Sequence, residues 1–162
     1  MALESSKSSK KIEPDVPKTK SGWQIKEPAG LTRLLKPVSQ CLVGYITSCG
    51  LYRIDQQIPF DAFNALGDPS FREIHIDTPK EHLGISHSHY DHQHANEDLN
   101  VVWPVEQMES LENKRFIGHL YPWFYSFMGF IPHSQQLEEE SVPVLAKRLI
   151  DDGVDALILT PC

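Results

Sequence analysis

The chain has 162 residues, 40% of them hydrophobic and 23% charged, with a formal net charge of −7. That length suits one globular domain, and the composition excludes a wholly disordered or low-complexity chain. Residues 1–22 carry five Lys against three acids, a balance of +2, which leaves −9 on the remainder. An acidic body repels phosphate backbones and argues against nucleic acid as a partner. Pro, Gly or charge interrupts every apolar run, so no membrane span is expected. No apolar segment follows the N-terminal basic residues, as a secretory signal would require. The expected location is cytoplasmic.

In chain order, residues 1–22 (MALESSKSSKKIEPDVPKTKSG) contain almost nothing apolar. Such a segment cannot bury enough surface to offset the entropy of ordering, and a disordered tail is expected there. A single α/β domain is expected over 23–162, beginning near Trp23. Cys41 to Thr47 (CLVGYIT) is a nearly continuous apolar run that ends in Ser48-Cys49-Gly50. It predicts a buried strand entering a glycine turn. Turn residues Gly67-Asp68-Pro69-Ser70 precede a short extended piece that reaches Ile76. Asn100 to Trp103 (NVVW) reads as a second buried strand, followed by Pro104 at the first turn of a helix. Val105, Met108 and Leu111 recur at helical spacing. Phe116 to Tyr121 reads as a third strand, and Ser126 to Ile131 as an apolar loop before Pro132.

The last segment carries the clearest pattern. Ser141 is placed to cap a helix, with Pro143 in its first turn. Val142, Leu145, Leu149 and Ile150 form its apolar face, and Gly153 stands where a terminating glycine belongs. Val154 to Thr160 then predicts a buried strand. Helices alternating with buried strands predict a parallel sheet of the flavodoxin or Rossmann kind. In such sheets chemistry gathers beyond the C-terminal ends of the strands. Pro161 and Cys162 stand at one of those ends.

The three cysteines are Cys41, Cys49 and Cys162. An odd number in a chain without a secretion signal argues against a disulfide framework. Cys41 reads as a small buried apolar residue. A second cluster, Ser86-His87-Ser88-His89-Tyr90-Asp91-His92, contains H-x-H-x-D-H, the metal-binding signature of metallo-β-lactamases. Imidazoles and a carboxylate at that spacing suit Zn²⁺ with an open position for water. A hydrolase of that kind also needs later His and acidic ligands, and beyond His94 only His119 and His133 remain. The alternative is a polar loop bonded within itself. His87, His89, Asp91 and His92 are therefore metal candidates only under the hydrolase reading.

Several segments together resemble the selenoprotein B subunit family of glycine, betaine, sarcosine and D-proline reductases. Gly67 to Ile74 (GDPSFREI) matches a segment of that family, as does Ile85 to His92 (ISHSHYDH). Asp98 to Pro104 (DLNVVWP) resembles its D-x-N-V-V-F-P, Tyr125 to Gly129 reads YSFMG, and Asp152 to Ala156 (DGVDA) opens the final strand. The similarity runs from about Lys36 to Cys162. It implies an incomplete parallel α/β domain with selenocysteine, or a cysteine replacing it, directly after that strand. Cys162 or a selenocysteine expected after it would then be the catalytic residue. A pyruvoyl group on a partner subunit would activate a small amine or amino-acid substrate for reductive C–N cleavage. Cys49, at the end of the first strand, is placed either as a resolving thiol facing Cys162 or as a buried structural cysteine. His87, His89, Tyr90, Asp91 and His92 would form a substrate or structural loop. No cofactor is expected in this chain itself.

The sequence departs from the family pattern in two places. The first strand leads into Thr47-Ser48-Cys49-Gly50-Leu51-Tyr52 instead of T-T-x-G-V-H, and Trp123-Phe124 replaces a basic pair before YSFMG. Three readings are open: a reductase subunit, a zinc hydrolase built on the His87–His92 loop, or a non-catalytic relative. The motifs in register favour the first.

Overall fold

The computed structural model describes residues 32–162, and Arg33–Cys162 form one unit. The expected tail over 1–22 and the expected start near Trp23 lie outside the described residues. Among the described residues seven strands are formed: β1 (Leu42–Thr47), β2 (Leu51–Arg53), β3 (Phe71–His75), β4 (Leu83–Ile85), β5 (His119–Leu120), β6 (Trp123–Phe127) and β7 (Ala156–Thr160). Three α-helices accompany them: α1 (Gln93–Glu97), α2 (Val105–Asn113) and α3 (Val142–Asp151).

Strand β1 is the axis of the larger sheet. Along one edge it pairs in parallel with β7, Val43 to Thr47 against Ala156 to Thr160. Along the other it pairs in parallel first with β5, Leu42 against His119, and then with β6, Thr47 against Ser126. β3 adds antiparallel to β6. The predicted α/β class with a mainly parallel sheet is therefore present, with one antiparallel strand at the margin. β2 and β4 form a separate antiparallel pair, Leu51 against Ile85 and Arg53 against Leu83.

The alternation of β1 divides the core into two layers. Val43 and Tyr45 join Ile74, Trp103, Met108, Leu120 and Phe124 on one face. Ile46 joins Tyr121, Tyr125, Leu145 and Leu149 on the other, beneath α3. Phe124 is fully buried, 5.0 Å from the ring of Tyr45 and 5.1 Å from that of Trp103. The second layer carries a polar clamp: Arg148 of α3 pairs with Glu73 of β3, and the Tyr125 hydroxyl donates to Glu73 Oε1 at 3.1 Å.

Helix α3 ends as its sequence dictates. Gly153 adopts φ +75°, Gly153 N–H donates to Ile150 O at 3.0 Å, and Val154 N–H donates to Leu149 O at 2.9 Å. This pair of bonds is a Schellman termination, which only a residue tolerant of positive φ closes without strain. Its start differs from expectation. Ser141 makes no side-chain cap, because the chain is already helical through a π-turn over Leu137–Ser141. Leu145 and Leu149 are buried as predicted, whereas Val142 and Ile150 are exposed.

Two further expectations are corrected. Asn100 to Trp103 is not a strand: Leu99–Val101 is a 3-10 turn in which Asp98 accepts from Asn100 N–H at 3.0 Å. An Asp side chain that satisfies a nearby N–H offers the backbone an alternative to a ladder, and Val102 and Trp103 still reach the core from the turn. β7 forms where predicted but is not buried, since only β1 pairs with it and Leu157, Ile158 and Leu159 are exposed. Trp123 and Phe124, the aromatic pair that replaces the family's basic residues, lie on β6, Trp123 edge-on to His75 at 4.8 Å and Phe124 in the core.

Replacing Phe124 with Ala removes the ring that joins Tyr45 to Trp103. It should cost about 3–5 kcal/mol of unfolding free energy, read as a fall in the urea midpoint with the slope unchanged.

Candidate active site at the strand ends

Three parallel strands deliver their last residues to one place. Ser48-Cys49-Gly50 continues from β1, Met128-Gly129 from β6 and Pro161-Cys162 from β7. Cys49 is fully buried and makes an isolated antiparallel bridge with Met128. Gly50 is the node of the turn. Its N–H donates to Phe127 O at 2.8 Å and its carbonyl accepts from Ser86 N–H at 2.9 Å. It adopts φ +75°, and a Cβ there would stand 2.4 Å from Ser86 O. Only glycine meets both conditions.

Gly50 thus fixes the start of the histidine loop against the end of β1, and β4, paired with β2, delivers that loop. The Tyr90 hydroxyl donates to Cys49 O at 3.1 Å, so the loop roofs the cysteine. The Tyr90 ring contacts two imidazoles, edge-on to His87 at 4.9 Å and tilted against His92 at 4.3 Å. His87 is buried, and its Nδ1 accepts from His89 N–H at 3.1 Å, which assigns the ring proton to Nε2. Burial, and then the neighbouring His89 and His92, push the His87 pKa down, so the ring is neutral at neutral pH. His87 Nε2 and His92 Nε2 are buried without a hydrogen-bond partner among the described residues.

The metal alternative finds no converging ligand set. His89 stacks on Phe130 at 3.6 Å and contacts Ser88 Oγ through Nδ1 at 3.0 Å. The Asp91 carboxylate accepts from Gln93 N–H at 2.9 Å. Among the described residues, no group of three or more His, Cys, Asp or Glu side chains is placed to hold an ion. The side chains of H-x-H-x-D-H are spent on three separate environments.

All three cysteines are unpaired thiols. Cys41 is buried and directs its sulfur to Pro37 O at 3.4 Å, as its structural reading requires. Cys49 and Cys162, by contrast, converge on one hydroxyl at the strand ends: Cys49 N–H donates to Thr47 Oγ1 at 3.4 Å, and Cys162 Sγ lies 3.8 Å from the same oxygen. The Cys49 thiol, helped by the Thr47 hydroxyl, pulls the Cys162 pKa down to about 7 against the opposing effect of burial. The neighbouring Cys162 and burial push Cys49 well above the ordinary thiol range. The pair is therefore asymmetric, with an exposed sulfur that ionises near neutrality beside a buried one that keeps its proton. Tyr90 is also pushed up, first by burial and then by these two sulfurs.

Beside the pair, between the sheet and α3, lies a cavity of about 490 Å³ lined mainly by apolar side chains, including Met128, Leu145, Leu159 and Pro161. Thr47 and Ser48 form its end nearest the cysteines. Sequence reasoning alone does not single out these two residues. The signal for them is a pair of hydroxyls at a buried strand end, immediately before Cys49-Gly50. Among the described residues no helix is long and apolar enough to cross a membrane.

Comparison with known proteins places the chain in a family. The profile of the glycine/sarcosine/betaine reductase selenoprotein B (GRDB) family matches residues 35–162, and the chain belongs to that family. It is 33% identical over 137 residues to the D-proline reductase subunit gamma of Acetoanaerobium sticklandii, covering 84% of this chain and 54% of that protein. It is 30% identical over 133 residues to the glycine reductase complex component B subunit gamma of Peptoclostridium acidaminophilum, covering 79% of this chain and 29% of that protein. The sarcosine reductase complex component B subunit beta of the same organism is 28% identical over 130 residues, 78% of this chain and 29% of that protein. The chain spans about half the length of the first relative and under a third of the other two. No solved structure matches it.

Two outcomes test this geometry. Iodoacetamide should label Cys162 with a pH midpoint near 7, while Cys49 stays unlabelled across the neutral range in the folded protein; peptide mass mapping separates the two. Gly50→Ala should cost about 3 kcal/mol, from left-handed strain and displacement of Ser86, measured by thermal unfolding.

Proposed function

We propose that this chain is part of a reductase subunit that cleaves the C–N bond of a small amine or amino acid, with Cys162 and Cys49 as its redox pair. The observation that carries the reading is the convergence of these two cysteines on Thr47 at the ends of β1 and β7, Cys49 through its main-chain N–H at 3.4 Å and Cys162 through its sulfur at 3.8 Å. The reaction class balances on two thiols. The C–N bond breaks, a C–H bond forms, the amine leaves protonated, and the two electrons come from closing two thiols to a disulfide. Cys162, ionised near neutral pH, serves as the nucleophilic sulfur. Cys49, held protonated, serves as the resolving thiol.

Family membership supports the rest. A selenocysteine after Cys162 and a pyruvoyl carbonyl on a partner subunit would supply a stronger nucleophile and an electrophile for the amine. The chain's own contribution is to hold the reacting strand end, keep one thiol charged and the other protonated, and roof both with Tyr90. The His87–His92 loop acts here as a structural or substrate-facing cover instead of a metal site. The D-proline, glycine and sarcosine relatives are subunits of reductases or reductase complexes, and the exposed apolar edge of β7 is the kind of surface that further protein covers. Such chemistry suits a reducing cytoplasm.

The experiment reads the gene through the codon after Cys162 and measures mass and selenium in the native protein. A UGA codon, an open frame beyond it and selenium in a product larger than 18.4 kDa are expected. In the complete complex, with glycine, sarcosine, betaine and D-proline each assayed for amine release, Cys162→Ser should lower turnover by roughly 10³-fold. A selenium-free native protein whose turnover is indifferent to Cys162→Ser and Cys49→Ser sinks the reading.

A further inference from the structure

Cys162 is exposed, yet its position is fixed from beneath by β1. Its main-chain N–H donates to Ser48 Oγ at 3.0 Å, while Ser48 N–H donates to Thr160 O at 3.1 Å. Ser48 O in turn accepts from Gly129 N–H at 2.8 Å, so Ser48 joins the ends of β1, β6 and β7. A Cβ on Gly129 would stand 3.0 Å from both Ser48 oxygens, which leaves Ser48 little room to be displaced.

Thr47 lies directly under this join, only 1% exposed, opposite Thr160 on one neighbour and Ser126 on the other. A buried hydroxyl needs partners. Thr47 Oγ1 accepts from Cys49 N–H at 3.4 Å and lies 3.8 Å from Cys162 Sγ. A hydroxyl has one hydrogen and two lone pairs. Cys49 N–H occupies a lone pair, and the two other groups on which this hydroxyl acts, the Cys49 thiol and Tyr45, keep their protons, so the hydrogen of Thr47 is available to the Cys162 sulfur. The other groups that face this sulfur are the Cys49 thiol, Tyr45 from β1 and Tyr90 from the histidine loop. Burial raises both tyrosines, so neither carries charge near neutrality. The groups that stabilise a charged Cys162 are thus two neutral donors, the Cys49 thiol and the Thr47 hydroxyl, and no cation takes part.

We propose that Thr47 is a positioning residue for the exposed cysteine, its hydroxyl donating to Cys162 Sγ across the join of β1 and β7 and so stabilising that sulfur as a thiolate. Ser48 completes the device by holding the Cys162 main chain over that hydroxyl. The functional meaning of this assignment rests on the proposed redox pairing of Cys162 with Cys49; the hydrogen bond itself does not.

The test uses the native protein and the pH dependence of iodoacetamide alkylation, with the peptides bearing Cys41, Cys49 and Cys162 separated by mass. Thr47→Val keeps the shape and removes the hydroxyl. It should move the Cys162 midpoint up by about one unit from its value near 7, lowering the thiolate fraction at pH 7 about five-fold. Thr47→Ser restores the hydroxyl and should return the midpoint. A folded Thr47→Val protein with an unmoved midpoint overturns the proposal, and so does a Thr47→Ser protein that shifts as far as Thr47→Val. If Thr47→Val does not fold, Ser48→Ala decides by the same measurement: a rise supports the proposal and an unchanged midpoint overturns it. Failure of the redox pairing would look different, with these midpoint shifts intact and turnover of the complete complex indifferent to Cys162→Ser.

Discussion

Strand β1 is hydrogen-bonded along both edges and buried on both faces, and every part of the site takes its position from its last residue. Backbone groups inside a protein must be paired, so a strand with neighbours on both sides has no freedom to slide. A one-residue slip would exchange Val43 and Tyr45 with Gly44 and Ile46 between the two core layers. The register is therefore fixed by packing far from the chemistry. The three residues after Thr47 inherit that precision: Ser48 reaches β6 and β7, Cys49 bridges Met128, and Gly50 ties in the histidine loop. The main chain at Gly50 approaches Ser86 too closely for any side chain, and that close approach brings Tyr90 over Cys49.

The electrostatics of the site arise from the same compactness. A thiolate is commonly stabilised by a nearby cation or a helix N-terminus, and Cys162 has neither among the groups that act on it. Here the work is done by short-range donors, which hold the charge without adding a positive group to an acidic protein. Such stabilisation is directional and lost with small displacements, unlike the field of a distant Lys. It explains why the strand ends are so heavily cross-tied. Burial then separates the two sulfurs further, since the cost of charging Cys49 in the interior exceeds that of charging the exposed Cys162.

Much of this is legible in the sequence, and the failures have particular causes. β1, α2, α3 with its Gly153 termination, and β7 are each announced by an apolar pattern bounded by turn residues. β6 escapes because Trp123 to Phe127 is apolar and aromatic without alternation, and periodicity cannot distinguish such a run from a buried loop. β2 and β4 are three residues each, too short to show any period. Asn100 to Trp103 has the composition of a strand but no neighbour to pair with, and Asp98 offers its backbone a turn instead. In the site, Cys49 and Cys162 can be proposed from their places at two strand ends. Thr47 cannot, because its importance depends on Cys49 N–H using one side of its oxygen and Cys162 the other.

The histidine loop shows how a motif and its chemistry come apart. H-x-H-x-D-H binds metal only when its side chains converge on one point, and convergence is set by the backbone beneath them. Here the loop is anchored at Gly50, and Tyr90 is drawn down to Cys49 O in contact with the rings of His87 and His92. That ring meets one imidazole edge-on and the other tilted, while Phe130 takes the face of His89 and Gln93 N–H takes Asp91. The same spacing here leaves the side chains in separate environments, with the aromatic residue in the middle of the motif bonded to the main chain of the cysteine beneath it.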